Sequence, residues 1–269
     1  MGFNAKQINA TKQAAVNAGF TVLRTIHEPT AAAMAYGLHT NAQVHTVMVY
    51  DIGGGTLDVS LLNLNNGIFE VIAAAGDNRL GGQDFNYVIL EHLIERIGKA
   101  MPADAPRVTD DLEAMRALRE EAERIKLDLN DEADCSGVFE EGDSGVVHVQ
   151  LPSAFAVAGP LDVDRAQFET IVTPLLERAL RPVIDVLKRV DMSVDDVDEL
   201  VLVGGSSRMA RLRKLLRDTF KDREPNCDVS PEEAVAHGTA IQAAILTDRK
   251  KISVGATEAA LHEHISVER

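Results

Sequence analysis

The run Asp51-Ile52-Gly53-Gly54-Gly55-Thr56-Leu57-Asp58 restricts this chain more than any other stretch. Residues 46–50 before it and 57–64 after it are β-prone and largely apolar. A continuous apolar run of that length reads as a strand buried on both faces. The glycines then mark a sharp bend between two strands, and Asn66-Gly67 signals a tight hairpin before a third strand at 68–75. Three glycines in a row let backbone N–H groups face one point with no Cβ in the way, and such a nest binds phosphate oxygens. Thr56 adds a hydroxyl, while Asp51 and Asp58 supply carboxylates suited to Mg²⁺ through water, because that ion keeps much of its hydration shell. A glycine-rich β-bend without chemistry explains the same residues.

Around this meander the pattern is helical. Residues 4–18 form an alanine-, lysine- and glutamine-rich helix stopped by Gly19, and 22–26 form a short strand. Glu28-Pro29-Thr30 opens an alanine-rich helix that ends at Gly37, with proline where no donor is missed. After Gly81-Gly82, amphipathic helices follow at 83–97 and 110–134, the second with a buried stripe of Met115, Leu118, Ala122, Ile125 and Leu129. Two short strands flank Gly142-Asp143-Ser144-Gly145, and a helix at 164–190 carries Pro174 and Pro182, which predict kinks. A strand at 199–203, the turn Gly204-Gly205-Ser206-Ser207 and a helix at 208–220 come next. The last helix, 230–247, starts with Ser230 as N-cap, Pro231 and the acids Glu232 and Glu233. The tail, 248–269, lacks a pattern and reads as mobile.

The turn at 204–208 lies between an apolar strand and a helix, where unpaired N–H groups favour an anion; a serine-rich N-cap explains it equally well. It is neither a Walker loop nor a dinucleotide fingerprint. Glu123, Lys126, Leu127 and Asn130 share one helix face, which by itself reads as a solvated face with a stray leucine. The eight histidines show no paired-ligand spacing. With 42 acidic and 27 basic residues the net charge is −15, a field that repels nucleic acid and anionic membrane. Two cysteines, Cys135 and Cys227, are too few for a disulfide framework and predict reduced thiols in a cytoplasmic setting. No apolar run approaches membrane-spanning length and no charged segment precedes an apolar one at the N-terminus, which predicts a soluble chain without an export signal.

Taken together, these stretches resemble the nucleotide-binding domain of the 70-kDa heat-shock protein (DnaK-type) chaperones, members of the actin-like ATPase superfamily. The matching segments are 4–19, Ile26-His27-Glu28-Pro29-Thr30-Ala31-Ala32-Ala33, 51–60, 76–85, 199–208 and 231–246, in family order. Sugar kinases and actin share the two glycine turns but not the Glu-Pro-Thr-Ala-Ala-Ala helix. The resemblance implies an α/β fold: a ribonuclease H-like sheet with flanking helices, mostly one lobe. It places residues 1–45 in the first lobe and 46–247 in the second, with 83–189 as an inserted α+β subdomain. It implies ATP or ADP with Mg²⁺ as ligands, and a J-domain co-chaperone and a nucleotide-exchange factor as partners.

By the same resemblance Asp51 sits beside the Mg²⁺, Gly53, Gly54, Gly55 and Thr56 form a phosphate loop, and Glu28 stands near the γ-phosphate. Asp58 approaches the attacking water, and Gly81 and Gly82 offer backbone contacts to phosphate. Glu123, Lys126 and Asn130 match contacts to ribose and adenine, which replaces the solvated-face reading. Gly204, Gly205, Ser206 and Arg208 match the adenosine turn, and Glu232 an acid close to base and ribose.

Three departures qualify the match. The family's opening hairpin, with a second phosphate loop, and the lysine-bearing segment after it find no counterpart in this sequence, nor do the interdomain linker and peptide-gripping β-sandwich. Leu127 stands where the family usually has an arginine stacking on adenine, and Gln83 replaces an acid. The expectation is therefore a nucleotide-binding module that does not hydrolyse ATP alone; the alternative is a non-catalytic docking module with vestigial nucleotide binding.

Overall fold

The computed structural model describes residues 3–38, 41, 43–65, 67–130, 145–226 and 228–247. Its centre is a four-stranded mixed sheet of β1 (Thr46–Ile52), β2 (Leu57–Asn65), β3 (Ile68–Asp77) and β6 (Glu199–Val203), in the order β3-β2-β1-β6. β1 pairs antiparallel with β2, so that Asp51 faces Asp58, and parallel with β6. This central position explains the unbroken apolar run of β1, since both of its faces are covered.

On one face Met48, Tyr50, Ile52, Leu57, Val59 and Leu61 enter the larger core. There they meet α3 (Gly82–Ala100), α4 (Leu112–Asp128), α5 (Arg165–Arg189) and α6 (Ala210–Thr219). Residues 83–189 have no separate core: Phe85, Leu118, Val172 and Val183 belong to the same apolar cluster as the sheet. A two-stranded pair, β4 (Val146–His148) and β5 (Asp162–Asp164), closes its far end. Asp164 and Gln167 form a capping box that starts α5, and Pro174 and Pro182 lie inside that helix.

On the other face Val47, Val49, Leu62, Leu64, Val201 and Val203 pack against α2 (Glu28–Ala35) and α7 (Ala234–Leu246). Ala31, Ala32 and Ala33 are fully buried there. α2 and α7 approach so closely that a Cβ on Gly238 would lie 1.7 Å from the Ala31 carbonyl oxygen. By contrast α1 (Ala5–Asn17) has an Asn4/Gln7 capping box but buries no side chain. The change in packing thus falls between α1 and α2.

Several sequence expectations need correction. Residues 22–26 form no strand: they have no regular structure and are largely exposed, because no neighbouring strand offers a hydrogen-bond ladder. The helix expected from residue 208 begins at Ala210, after a 3₁₀ turn over Gly205–Arg208. Ser230 is not an N-cap; a turn at 231–233 intervenes and α7 starts at Ala234 behind Glu233. Met115 is half-buried, and Ala114 takes a place in the α4 stripe. Asn66 of the hairpin, residues 142–144 of the small-sheet turn, both cysteines and the tail lie outside the described residues. Among the described residues no helix is long and apolar enough to cross a membrane.

Candidate functional site

The chain ends of β1, β2 and β6 converge at one edge of the sheet. There the glycine corner is held from two sides by other backbone. Gly82 N–H donates to the Gly53 carbonyl (2.9 Å) and Gln83 N–H to the Gly54 carbonyl (2.8 Å). From the second glycine turn, Ser206 Oγ donates to the same Gly53 oxygen (2.9 Å). These contacts explain two further glycines. A Cβ on Gly81 would lie 2.4 Å from Gly55 N, and one on Gly204, where φ is +81°, would lie 2.3 Å from the Ile52 oxygen.

The corner's own glycines are different. A Cβ on Gly53, Gly54 or Gly55 would meet no atom within 4 Å. Gly53 N–H closes the bend onto the Thr56 carbonyl (3.0 Å), whereas, among the described residues, the N–H groups of Gly54, Gly55 and Thr56 donate to nothing in the chain. Three exposed, neighbouring donors without acceptors form the anion-binding concavity that such turns supply. Among the described residues no neighbouring atom demands glycine there.

Carboxylates line the floor. Asp51 is half-buried, and burial first, then the charges of Glu28 and Asp58, push its carboxyl up to about 6. α2 supplies Glu28 from its first residue, β1 supplies Asp51 and β2 supplies Asp58. Among the described residues no group of three such side chains is close enough to ligate one metal ion directly. The Asp51 carboxylate, its proton affinity raised by burial and by its acidic neighbours, is nonetheless a place where an added cation lowers the energy. The donor set fits Mg²⁺ held through its waters rather than by a cage of oxygens.

α4 forms the wall. Lys126 Nζ reaches the Gly82 carbonyl (3.3 Å), and burial lowers its pKa. Asn130 uses both ends of its amide within the protein: Nδ2 donates to the Lys126 carbonyl (2.6 Å) and Oδ1 accepts from Ala210 N–H (3.0 Å). α4 stops at Asp128, short of the helix expected over 110–134, so Asn130 lies in the turn after it and from there satisfies an orphan donor of α6, whose N-cap is only Met209. Glu123 is exposed on the same wall and Leu127 is 58% exposed.

The second turn is tied to the segment before α7. Gly204 N–H donates to the Pro231 carbonyl (2.9 Å). Arg208 grips Glu232 through Nε (2.9 Å) and Nη2 (2.7 Å), a bidentate pair that holds the Glu232 carboxyl at about 2. Sequence reasoning missed two supports. Tyr36 Oη lies within hydrogen-bond distance of the Leu202 and Val229 carbonyls (2.9 and 3.2 Å), and Ser230 Oγ donates to Glu232 (3.0 Å). The serine bond spans two residues of one turn, whereas only the meeting of α2, β6 and the 229–232 segment makes Tyr36 a neighbour of those carbonyls.

Glu28, Asp51, Asp58, the 53–56 corner, Gly81, Gly82, Lys126, Asn130 and the 204–208 turn with Glu232 therefore belong to one connected surface. The residues come from six separate stretches of the chain.

A family model described as Hsp70 protein matches residues 2–255. This chain belongs to the Hsp70 family. It is 40% identical over 249 residues to the Chaperone protein DnaK of Thermosipho africanus, an alignment covering 91% of this chain and 39% of that relative. To the Chaperone protein DnaK of Mycoplasmoides gallisepticum it is 42% identical over 249 residues, with 91% and 40% covered. The chain thus spans about two fifths of the length of these Hsp70 relatives. Family membership makes the sheet and its helices an actin-like ATPase fold.

A separate cavity of about 530 Å³ lies in the inserted segment, lined by Arg124, Asp128, His148 and Arg165 among others. Its charges are matched within the chain: Arg124 pairs with Glu121 and Asp128, and His148 with Asp162.

Proposed function

We propose that this chain binds ADP and ATP with Mg²⁺ on the surface just described, as the nucleotide module of an Hsp70-type chaperone. The observation that carries this is the corner at 53–56, with three unpartnered N–H donors and open space where Cβ atoms would stand. In this reading Gly53, Gly54, Gly55 and Thr56 hold the phosphates, and Gly81 and Gly82 brace them. Asp51 holds Mg²⁺ through water; bound there, the ion neutralises phosphate charge. Glu28 and Asp58 set the field around it, and Asp58 orients water. Lys126 and Glu123 face the ribose, and Gly204, Gly205, Ser206 and Arg208 carry the adenosine. Asn130 supports this wall through its bonds to α6. In family terms residues 46–247 form the second lobe with 83–189 inserted, and 1–45 belong with the first.

Among the described residues the free N–H donors of this reading gather at one place, the 53–56 corner. Charge spread over the oxygens of a transferring phosphoryl needs clamping from several directions. The chain by itself therefore binds nucleotide without accelerating hydrolysis. In the whole protein the same module would run a cytoplasmic folding and stress-response cycle set by a J-domain co-chaperone and a nucleotide-exchange factor. With its net charge of −15, nucleic acid and anionic membrane are poor partners.

Calorimetric titration of Mg²⁺-ADP tests the reading. The chain should bind, and Gly81→Ala, which drives a Cβ into Gly54 and Gly55, should weaken binding at least about tenfold. The same preparation should turn over ATP no faster than buffer. Absence of binding, or a silent Gly81→Ala, overturns the proposal. The first of these results would favour the docking module instead, the reading supported by Leu127, 58% exposed where the family places a stacking arginine.

A further inference from the structure

Glu232 matches a family position close to base and ribose, but its carboxylate is already largely spent within the chain. An ionised carboxylate offers about four acceptor sites. Here one oxygen accepts from Arg208 Nε, and the other from Arg208 Nη2 and Ser230 Oγ. Arg208 Nη2 also approaches Ser230 Oγ (3.4 Å). Gly205 makes room, for a Cβ there would stand 3.3 Å from Glu232 Oε1. The Gly204-to-Pro231 bond fixes the two backbones against each other.

The arginine is left in a definite state. Its Nε–Nη2 edge is consumed by the fork, while 53% of the side chain remains exposed. A free surface arginine samples many rotamers and must be ordered when a ligand arrives. A guanidinium held on one edge by a bidentate carboxylate is a pre-set plate with its faces available for stacking. Because the pair carries no net charge, the plate attracts a flat base more than it attracts phosphate.

We propose that Glu232 is a positioning residue that acts on the nucleotide only through Arg208, holding the guanidinium as a fixed, charge-neutralised platform for the purine. This rests on the nucleotide reading above and refines how that site recognises the base. A half-exposed ion pair adds little to fold stability, so its effect should appear in affinity rather than in melting.

The test is a double-mutant cycle read by calorimetric titration of Mg²⁺-ADP at fixed salt. Arg208→Ala should weaken binding about two- to thirtyfold, the range spanned by guanidinium–aromatic stacking. Glu232→Gln, which keeps the shape but breaks the charged fork, should reproduce only part of that loss, smaller than the effect of Arg208→Ala and at most about tenfold. The double variant Arg208→Ala/Glu232→Gln should bind no worse than Arg208→Ala alone, because a positioning residue has nothing to hold once the arginine is gone. Additive losses would show Glu232 touching the nucleotide itself and overturn the proposal. A silent Glu232→Gln beside a damaging Arg208→Ala overturns it too, leaving the nucleotide reading intact. A silent Arg208→Ala with Mg²⁺-ADP still bound would remove the base from this turn and both assignments with it.

Discussion

Helices α1 and α2 lie close together near the N-terminus and are both rich in alanine, yet they are held by opposite means. α1 runs for 13 residues with a reciprocal capping box, no buried side chain, and Phe3, Val16 and Phe20 exposed around it. α2 has eight residues and no side-chain cap, yet Ala31, Ala32 and Ala33 are fully enclosed by the sheet and α7. A helix of 13 residues is marginal on its own in water, whatever its cap. Small side chains let α2 sit against α7 at backbone contact distance, where dispersion is strongest. Local rules write α1; packing writes α2. Functional weight follows the packed helix, since α2 delivers Glu28 to the carboxylate floor and its C-cap residue Tyr36 to β6.

The widest separation between the two should appear in native-state hydrogen exchange. α2 amides should open only near global unfolding, about 5 kcal/mol or more, and α1 amides at close to zero. Equal protection would mean that α1 docks on the sheet and that the contrast is wrong.

A smaller effect, confined to stability, should come from Gly238→Ala. The added methyl group meets the Ala31 carbonyl oxygen, so α2 must lift from α7 at a cost of about 3 kcal/mol in urea melts. Ala15→Val, on α1, should stay within about 0.5 kcal/mol. Matching costs would erase the distinction.

Smaller again is the charge that α2 brings. The Asp51 carboxyl is raised from 3.8 to about 6, so the proton favours the folded state. That contribution is complete below pH 3.8 and is lost as pH rises through about 6. Asp51→Asn should abolish this dependence and stabilise the chain at pH 7 by about 1–2 kcal/mol, less than the full shift implies because the group is partly solvated. Glu28→Gln should give part of the same gain while α2 stays docked. An unchanged profile in Asp51→Asn would place the pH dependence elsewhere.

Much of the sheet was legible beforehand because its signals are local. The continuous apolar run of β1 and the glycine corner after it led directly to two buried strands and a bend. The 22–26 strand failed for the complementary reason: β-prone residues make no strand without a neighbour to pair with. Glu121 carried no signal of its own in the sequence. It is buried, where it accepts from Arg124 and from Gln150 N–H (2.7 Å). The helix face of Lys126 and Asn130 was recoverable only through family resemblance, because its spacing is that of any solvated helix.

The order and type of the main elements, the glycine turns and the −15 charge were written in the sequence, since each depends on neighbours a few residues apart or on simple counting. The tertiary structure alone decided which of two alanine-rich helices is buried, and that Asn130, in the turn after α4, caps α6. It alone showed the carboxylate of Glu232 spent on Arg208. Those outcomes rest on contacts between residues far apart in the chain, and a hydrogen bond or a van der Waals contact has no signature until folding brings its partners within a few ångströms.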